Sequence, residues 1–419
     1  MEFNQPSYSL PTSLPLQFPE LIELENGIEL YVLKDDNDDA VKLDIEWSAG
    51  SKYQSKNLIA SFTNKLLLSG DDVMKASEIA EKLDFYGGYF QHEIDRDHAG
   101  IALFGLKENM SKIFEIFTQA FMNCTFPADQ LEKERAVALS KFQIANKKVK
   151  HQCVKAFNQG VYGEKNPYGR AATEADFGRI EREDLLAFYK QFYLNGKPTL
   201  FLVGNVDDDF IRQLRDWSSL MVSKPVNYEL EPLEQKTGHD HVIVPGAVQT
   251  AVRIGRLFID KKHPDYFQVQ LLNTLLGGYF GSRLMSNIRE DKGYTYGIGS
   301  AITVMEDAAC FFITTEVGSE VVKDAIQEVK NELSKLINIE IPEDELTVVK
   351  NYMAGEFLRN ADGAIAQMEN FKNIHFNQLP QSYYSDYLEA INTAQPSDLK
   401  KLAEKYFQFD DMLVVTAGA

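Results

Sequence analysis

FPADQLEKERAVALSKFQ (residues 126–143) and IPEDELTVVKNYMAGEFLR (residues 341–359) are one pattern written twice in the same chain. Pro127 corresponds to Pro342, an offset of 215. Farther on, DLLAFYKQFY followed by TLFLVGNV meets DLKKLAEKYF followed by MLVVTAGA, so that Asp184 maps to Asp398 and Gly204 to Gly418, both at an offset of 214. Three anchors at nearly one offset mark an internal duplication, and a duplication decides the fold before any single motif does.

The segments around these anchors read the same way in each half. GIELYVLKDD, AVKLDIEWSAG and HAGIALFGL alternate as half-buried strands do, and ASEIAEKLDFYG between them has helical period and ends at glycines suited to a C-cap. In the second half TAVRIGRLFID and ACFFITTEV are the strands, with DYFQVQLLNTLLGG as the matching helix. Strands in meander-like runs with helices set to one side give an α+β class rather than a doubly wound parallel sheet. The predicted organisation is an extended N-terminal arm over 1–20, a first α+β domain over 21–223, a linker over 224–238 and a second, similar domain over 239–419. The linker, KPVNYELEPLEQKTG, is polar, carries two prolines and lacks period. The arm rests on Pro6, Pro11, Pro15 and Pro19; a disordered tail is the equal alternative.

Composition narrows the class. At 419 residues the chain exceeds one core of usual size, and 44% apolar with 25% charged residues is the balance of a globular protein. A net charge of −19 argues against a nucleic-acid surface, which needs a basic stripe. No apolar run approaches the roughly 20 residues that span a bilayer, and MEFNQPSYSLP resembles neither a signal peptide nor an Arg-rich presequence, so a cytoplasmic location without membrane contact is expected. Cys124, Cys153 and Cys310 are odd in number and widely spaced, as reduced core residues are.

Two motifs carry the chemistry. LIASFTNKLLLSG (residues 58–70) is an amphipathic helix whose Ser61, Asn64 and Lys65 form an i, i+3, i+4 set on one flank, the spacing that zinc peptidases use for two ligands and a general base. GSRLMSNIREDKGYTYGIGS (residues 281–300) is a helix running into Arg289, then a turn to Tyr296 and a small-residue strand. With these motifs, the duplication and the order of elements, the chain resembles the pitrilysin family of zinc metallopeptidases, which includes insulin-degrading enzyme and the mitochondrial processing peptidase. The resemblance implies two similar domains, each a mainly antiparallel sheet covered by helices, facing each other across a closed chamber. It also implies an inverted zinc motif, H-x-x-E-H, with a further Glu downstream in one half, and an Arg and Tyr in the other that hold the substrate carbonyl and its developing charge.

Laid on that pattern, the His, Glu and His positions are Ser61, Asn64 and Lys65, and the third ligand position is Lys141, separated from Lys65 by 75 residues. The spacing is kept and the donors are replaced. Two ammonium groups repel a divalent ion, and an amide does not titrate as a general base near neutral pH. Arg289 and Tyr296 match the Arg/Tyr pair. The resemblance therefore implies a catalytically incomplete subunit with no metal or cofactor of its own. It would pair with a zinc-bearing homologous subunit of similar size and lend Arg289 and Tyr296 to its site for cleavage of an extended peptide. A non-catalytic scaffold or peptide-holding protein of the same fold, acting as a homodimer or complex subunit, is the competing reading. An unrelated enzyme has little in its favour: no nucleophile elbow or phosphate loop is present, and LLGGYFGS (residues 275–282) reads as close backbone approach at Gly277 and Gly278. Of the seven histidines, His239 and His241 flank Asp240 in a weak metal candidate, His92 and His98 lie in an expected hairpin, and His151, His263 and His375 stand alone.

Overall fold

The computed structural model describes residues 16–71, 73–226 and 228–419. The first half comprises β1 (Glu20–Glu23), β2 (Glu29–Leu33), β3 (Ala40–Trp47), α1 (Ile59–Lys65), α2 (Ala76–Phe85), β4 (Tyr89–Ile94), β5 (Ala99–Leu106), α3 (Lys107–Met122), α4 (Ala128–Asn146), α5 (Val149–Tyr162), α6 (Glu174–Phe177), α7 (Arg182–Phe188), β6 (Pro198–Val203) and α8 (Asp208–Ser219). The second comprises β7 (Gly238–Ile243), β8 (Gln249–Leu257), α9 (Tyr266–Asn273), a wide-turn π-helical segment Met285–Asp291, β9 (Ile298–Val304), β10 (Ala309–Gly318), α10 (Val322–Asn338), α11 (Glu343–Asn360), α12 (Ala364–Phe376), α13 (Tyr383–Thr393), α14 (Pro396–Tyr406) and β11 (Leu413–Gly418). No helix among the described residues is long and apolar enough to cross a membrane.

The duplication is visible in the sheets. The first runs β1-β2-β6-β3-β5-β4 and the second β7-β11-β8-β10-β9, the same order from β2 onward. In each, one pair is parallel (β2 with β6, β7 with β11) and the other pairs are antiparallel. Pro127 caps α4 and Pro342 caps α11, at nearly the same φ of −55° and −58°. By order of elements the counterpart of α9 is α1, since each follows the strand after the first crossover, rather than α2.

The strands were expected to be half-buried. On β3, Val41, Leu43, Ile45 and Trp47 do enter the first half's core, but Lys42, Asp44 and Glu46 on the opposite face are buried too. Their cover is α12 of the second half. Met368 on α12 shares a cluster with Leu33, Phe201 and Val203 of the first sheet. Reciprocally, Cys153, Phe157 and Val161 on α5 of the first half pack with Ala251, Leu413, Val415 and Ala417 on the second sheet. Each sheet thus carries its own helices on one face and a helix lent by the other half on the opposite face. A cleft of about 410 Å³ lies between the halves, lined by the hairpin β4–β5, the residues around 305 and α12.

The stretch between the halves is stitched down along α5. Glu234 and Lys236 donate their backbone N–H groups to Tyr162 and Gly160 carbonyls at 3.3 and 2.7 Å, and Leu230 and Leu233 pack on the shared cluster. The arm falls mostly on residues 1–15, outside those described; at its described end, the Gln17 N–H donates to Gln367 on α12 at 3.0 Å and Phe18 meets Phe371 edge-on.

Candidate functional site

Helix α1 is short and lies between α7 and the edge strand β4. Its three marked positions do not converge. Ser61 donates its hydroxyl back to the Leu58 carbonyl at 2.9 Å. Asn64 is 1% exposed and turns into the core, where its Nδ2 donates to the Gly100 carbonyl at 3.0 Å and the Tyr193 hydroxyl at 3.2 Å. Lys65 points to solvent, as does Lys141 on α4. Neighbouring helical residues diverge by about 100°, so with the amide of Asn64 turned to β5, the Lys65 side chain beside it lies exposed. His92 on β4 stands by Lys65; burial, and then the nearby ammonium, push its imidazole down to about 4, and its Nδ1 has no partner.

The second motif occupies another surface. Arg283 is spent on a two-pronged salt bridge to Glu345, at 2.8 and 2.7 Å. Arg289, on the π-helical segment, is not: its guanidinium lies over the Phe280 ring at 4.6 Å and only approaches Glu290 at 3.9 Å. Tyr296 is 95% exposed, two residues before β9, the open edge of the second sheet. The contacts of Arg289 lie within the second half, and those of Ser61 and Asn64 within the first. Gly277 sits where a Cβ would fall 2.6 Å from Ser300 Oγ and 2.7 Å from Ser300 N, so the helix end and β9 approach as closely as the glycine allows.

The donor set can be tested against zinc. Hydroxyl, amide and two ammonium groups supply no imidazole, thiolate or carboxylate at the four positions, so these residues do not fit the ion. Among the described residues one group of His, Cys, Asp and Glu is compact enough to share a metal, Asp97, Glu306 and Asp307. Its centre is filled by the Lys52 ammonium, 3.1 Å from Asp97, 3.0 Å from Asp307 and also bonded to Glu306. His239 and His241 share one face of β7 and gather no third donor among the described residues.

The first half, residues 30–172, matches the family described as Insulinase (Peptidase family M16), and residues 179–353 match the Peptidase M16 inactive domain. The chain belongs to the M16 peptidase family. It is similar to an uncharacterized zinc protease of Rickettsia felis, 25% identical over 402 residues that cover 92% of this chain and 94% of the relative. It is 22% identical to the uncharacterized zinc protease YmxG of Bacillus subtilis, over 83% of this chain and 86% of that one. Among solved structures, a peptidase M16 inactive domain from Pseudomonas fluorescens superposes with a TM-score of 0.87 at 24% identity, covering 96% of this chain and 98% of that one. A Complex III2 chain from Candida albicans gives 0.76 at 14% identity, covering 95% of each.

Within this M16 chain the sequence did not disclose two partly buried charge clusters between the halves. In one, Lys52, Asp97, His98 and Tyr168 of the first half meet Glu306 and Asp307 of the second; the Tyr168 hydroxyl donates to Asp97 at 2.6 Å, and His98 Nε2 lies 3.0 Å from Glu306. In the other, Lys372 on α12 reaches Asp44 at 3.3 Å, Glu46 and Glu369, while Lys42 reaches Asp44 at 2.9 Å and Glu369 at 2.6 Å. Charges alternating with large aliphatics in VKLDIEW were the available signal.

Proposed function

We propose that this chain is a catalytically incomplete M16 subunit. It pairs with a zinc-bearing homologue of similar size and lends Arg289 and Tyr296 to the hydrolysis of an extended peptide. The observation that carries the reading is the contrast between the two motifs: the four metal positions hold no zinc donor, whereas Arg289 and Tyr296 stay uncommitted to strong ion pairs, with Tyr296 almost wholly in solvent. A guanidinium and a phenol are donors, and donors aimed at a developing oxyanion act most strongly once a partner excludes water. The chain itself then holds no zinc, and a cytoplasmic location belongs to the same proposal.

In the assembled pair, Arg289→Ala or Tyr296→Phe is expected to lower kcat by about 100-fold, the scale of losing one oxyanion donor, while co-purification is unchanged. The isolated chain is expected to bring less than about one-tenth equivalent of zinc through purification. Full-rate cleavage by both assembled variants removes the proposed role; stoichiometric zinc in the chain alone removes the reading of the first motif.

A scaffold reading has one observation in its favour: a similar structure is a chain of Complex III2. On that reading the open edges β4 and β9 take an extended peptide or partner strand without cutting it. Mixing with zinc-bearing homologues then yields assembly and no peptidase activity.

A further inference from the structure

Beside Ser61 lies a pocket of about 320 Å³ with an unusual wall. Arg96, Lys155 and Arg170 line it together with His151, and none of its lining residues is acidic. In a chain of net charge −19 this is a local reversal of sign. The guanidiniums are only partly used: Arg96 donates to the carbonyls of Pro167 and Arg170 at 3.2 and 3.5 Å, and Arg170 donates to the Gln54 carbonyl at 3.0 Å. Neither has a carboxylate bonded to it, because the neighbouring Asp97 is committed to Lys52 and Tyr168. Lys155 has no hydrogen-bond or ion-pair partner among the described residues. The buried Nδ1 of His151 is likewise unpartnered. Burial, and then the charge of Arg170, lower the pKa of Arg96, so these two guanidiniums repel each other.

The backbone bordering the pocket is held out of its ordinary range. Leu58, a lining residue, sits at φ 74°, a conformation that bulky side chains rarely adopt and that collects at binding sites.

We infer that this pocket is a binding site for a phosphate-class oxyanion, free or carried by a small molecule. Guanidinium forks match the tetrahedral oxygens of phosphate, and a dianion offsets more of three clustered positive charges than a carboxylate does. The volume exceeds what phosphate alone fills and lies in the range of small-ligand sites. Where the family places its first metal ligand, this chain borders an anion site instead. The inference does not depend on the proposed pairing, since every lining residue belongs to the first half.

The test is titration of the full chain with sodium phosphate at ionic strength held constant by sodium chloride, read by Tm and by ³¹P line broadening. A saturable rise in Tm is expected, absent with chloride and weaker with acetate. Lys155→Met removes one charge-assisted contact and is expected to weaken phosphate binding about tenfold; Arg170→Met is expected to abolish it. Because Arg170 also holds the Gln54 carbonyl, Lys155→Met carries the test if the arginine variant fails to fold. No response beyond chloride, an unchanged response in Lys155→Met, or a response to acetate equal to that to phosphate overturns the assignment.

Discussion

Asn64 shows how a position can keep its place in a motif and change its work. In the family pattern it is the site of the general base; here its amide ties α1 to β5 and to Tyr193. An amide can donate to a carbonyl and to a phenol oxygen, whereas a carboxylate only accepts, so the residue type suits the bonds it makes. Asn64→Ala strips both bonds at a buried site and is expected to lower stability by about 1–3 kcal/mol, seen as a lower urea midpoint with an unchanged m-value. Asn64→Asp is expected to be worse, because it faces the Gly100 carbonyl with acceptors alone. A variant as stable as wild type would mean that the amide is incidental. The cysteines fit the same scale: Cys124, Cys153 and Cys310 are buried and unbridged, and burial pushes their thiols up, Cys124 to about 11 and the other two to about 12.

At the scale of elements, two equivalent hairpins meet. The turn β4–β5 brings Asp97 and His98, and the turn β9–β10 brings Glu306 and Asp307. Burial alone would depress the imidazole of His98, but the hydrogen bond and charge of Glu306, helped by Asp95 and Glu46, outweigh it and raise the pKa above 6.5. Burial alone would raise Glu306, but hydrogen bonds from His98 and Lys52, and their charges, hold it at about 2. A raised histidine gives stability that is full below its unfolded pKa and is lost as pH climbs through the folded one. A depressed carboxylate gives stability that is full above its unfolded value and is lost as pH falls toward the folded one. With ordinary values of 6.5 and 4.5, both contributions coexist between those limits. The stability difference between wild type and His98→Gln is therefore expected to be larger at about pH 5.5 than at about pH 8.5. Equal differences by urea unfolding would show that the contact does not couple to the proton.

Across the whole molecule, the exchange of α5 and α12 packs a helix of each half on the sheet of the other, and the halves are expected to unfold together. Met368 belongs to the second half and is 1% exposed against the first sheet. Met368→Ala is expected to cost about 2–5 kcal/mol and to shift the fluorescence transition of Trp47 and Trp217, both buried in the first half, together with the far-UV transition of the whole chain. Two separated transitions would show that the halves unfold independently. The sequence by itself determined the duplication, the α+β class, the family and the missing zinc donors, because repeats, alternation and ligand chemistry are carried by residue type and spacing along the chain. Only the tertiary structure decided that Asn64 turns inward, that the polar face of β3 is buried, and that Arg96, Lys155 and Arg170 meet in one pocket. Those facts depend on which distant element covers a face: α12 lies more than 300 residues beyond β3, and neither periodicity nor composition records which charge a buried strand will meet.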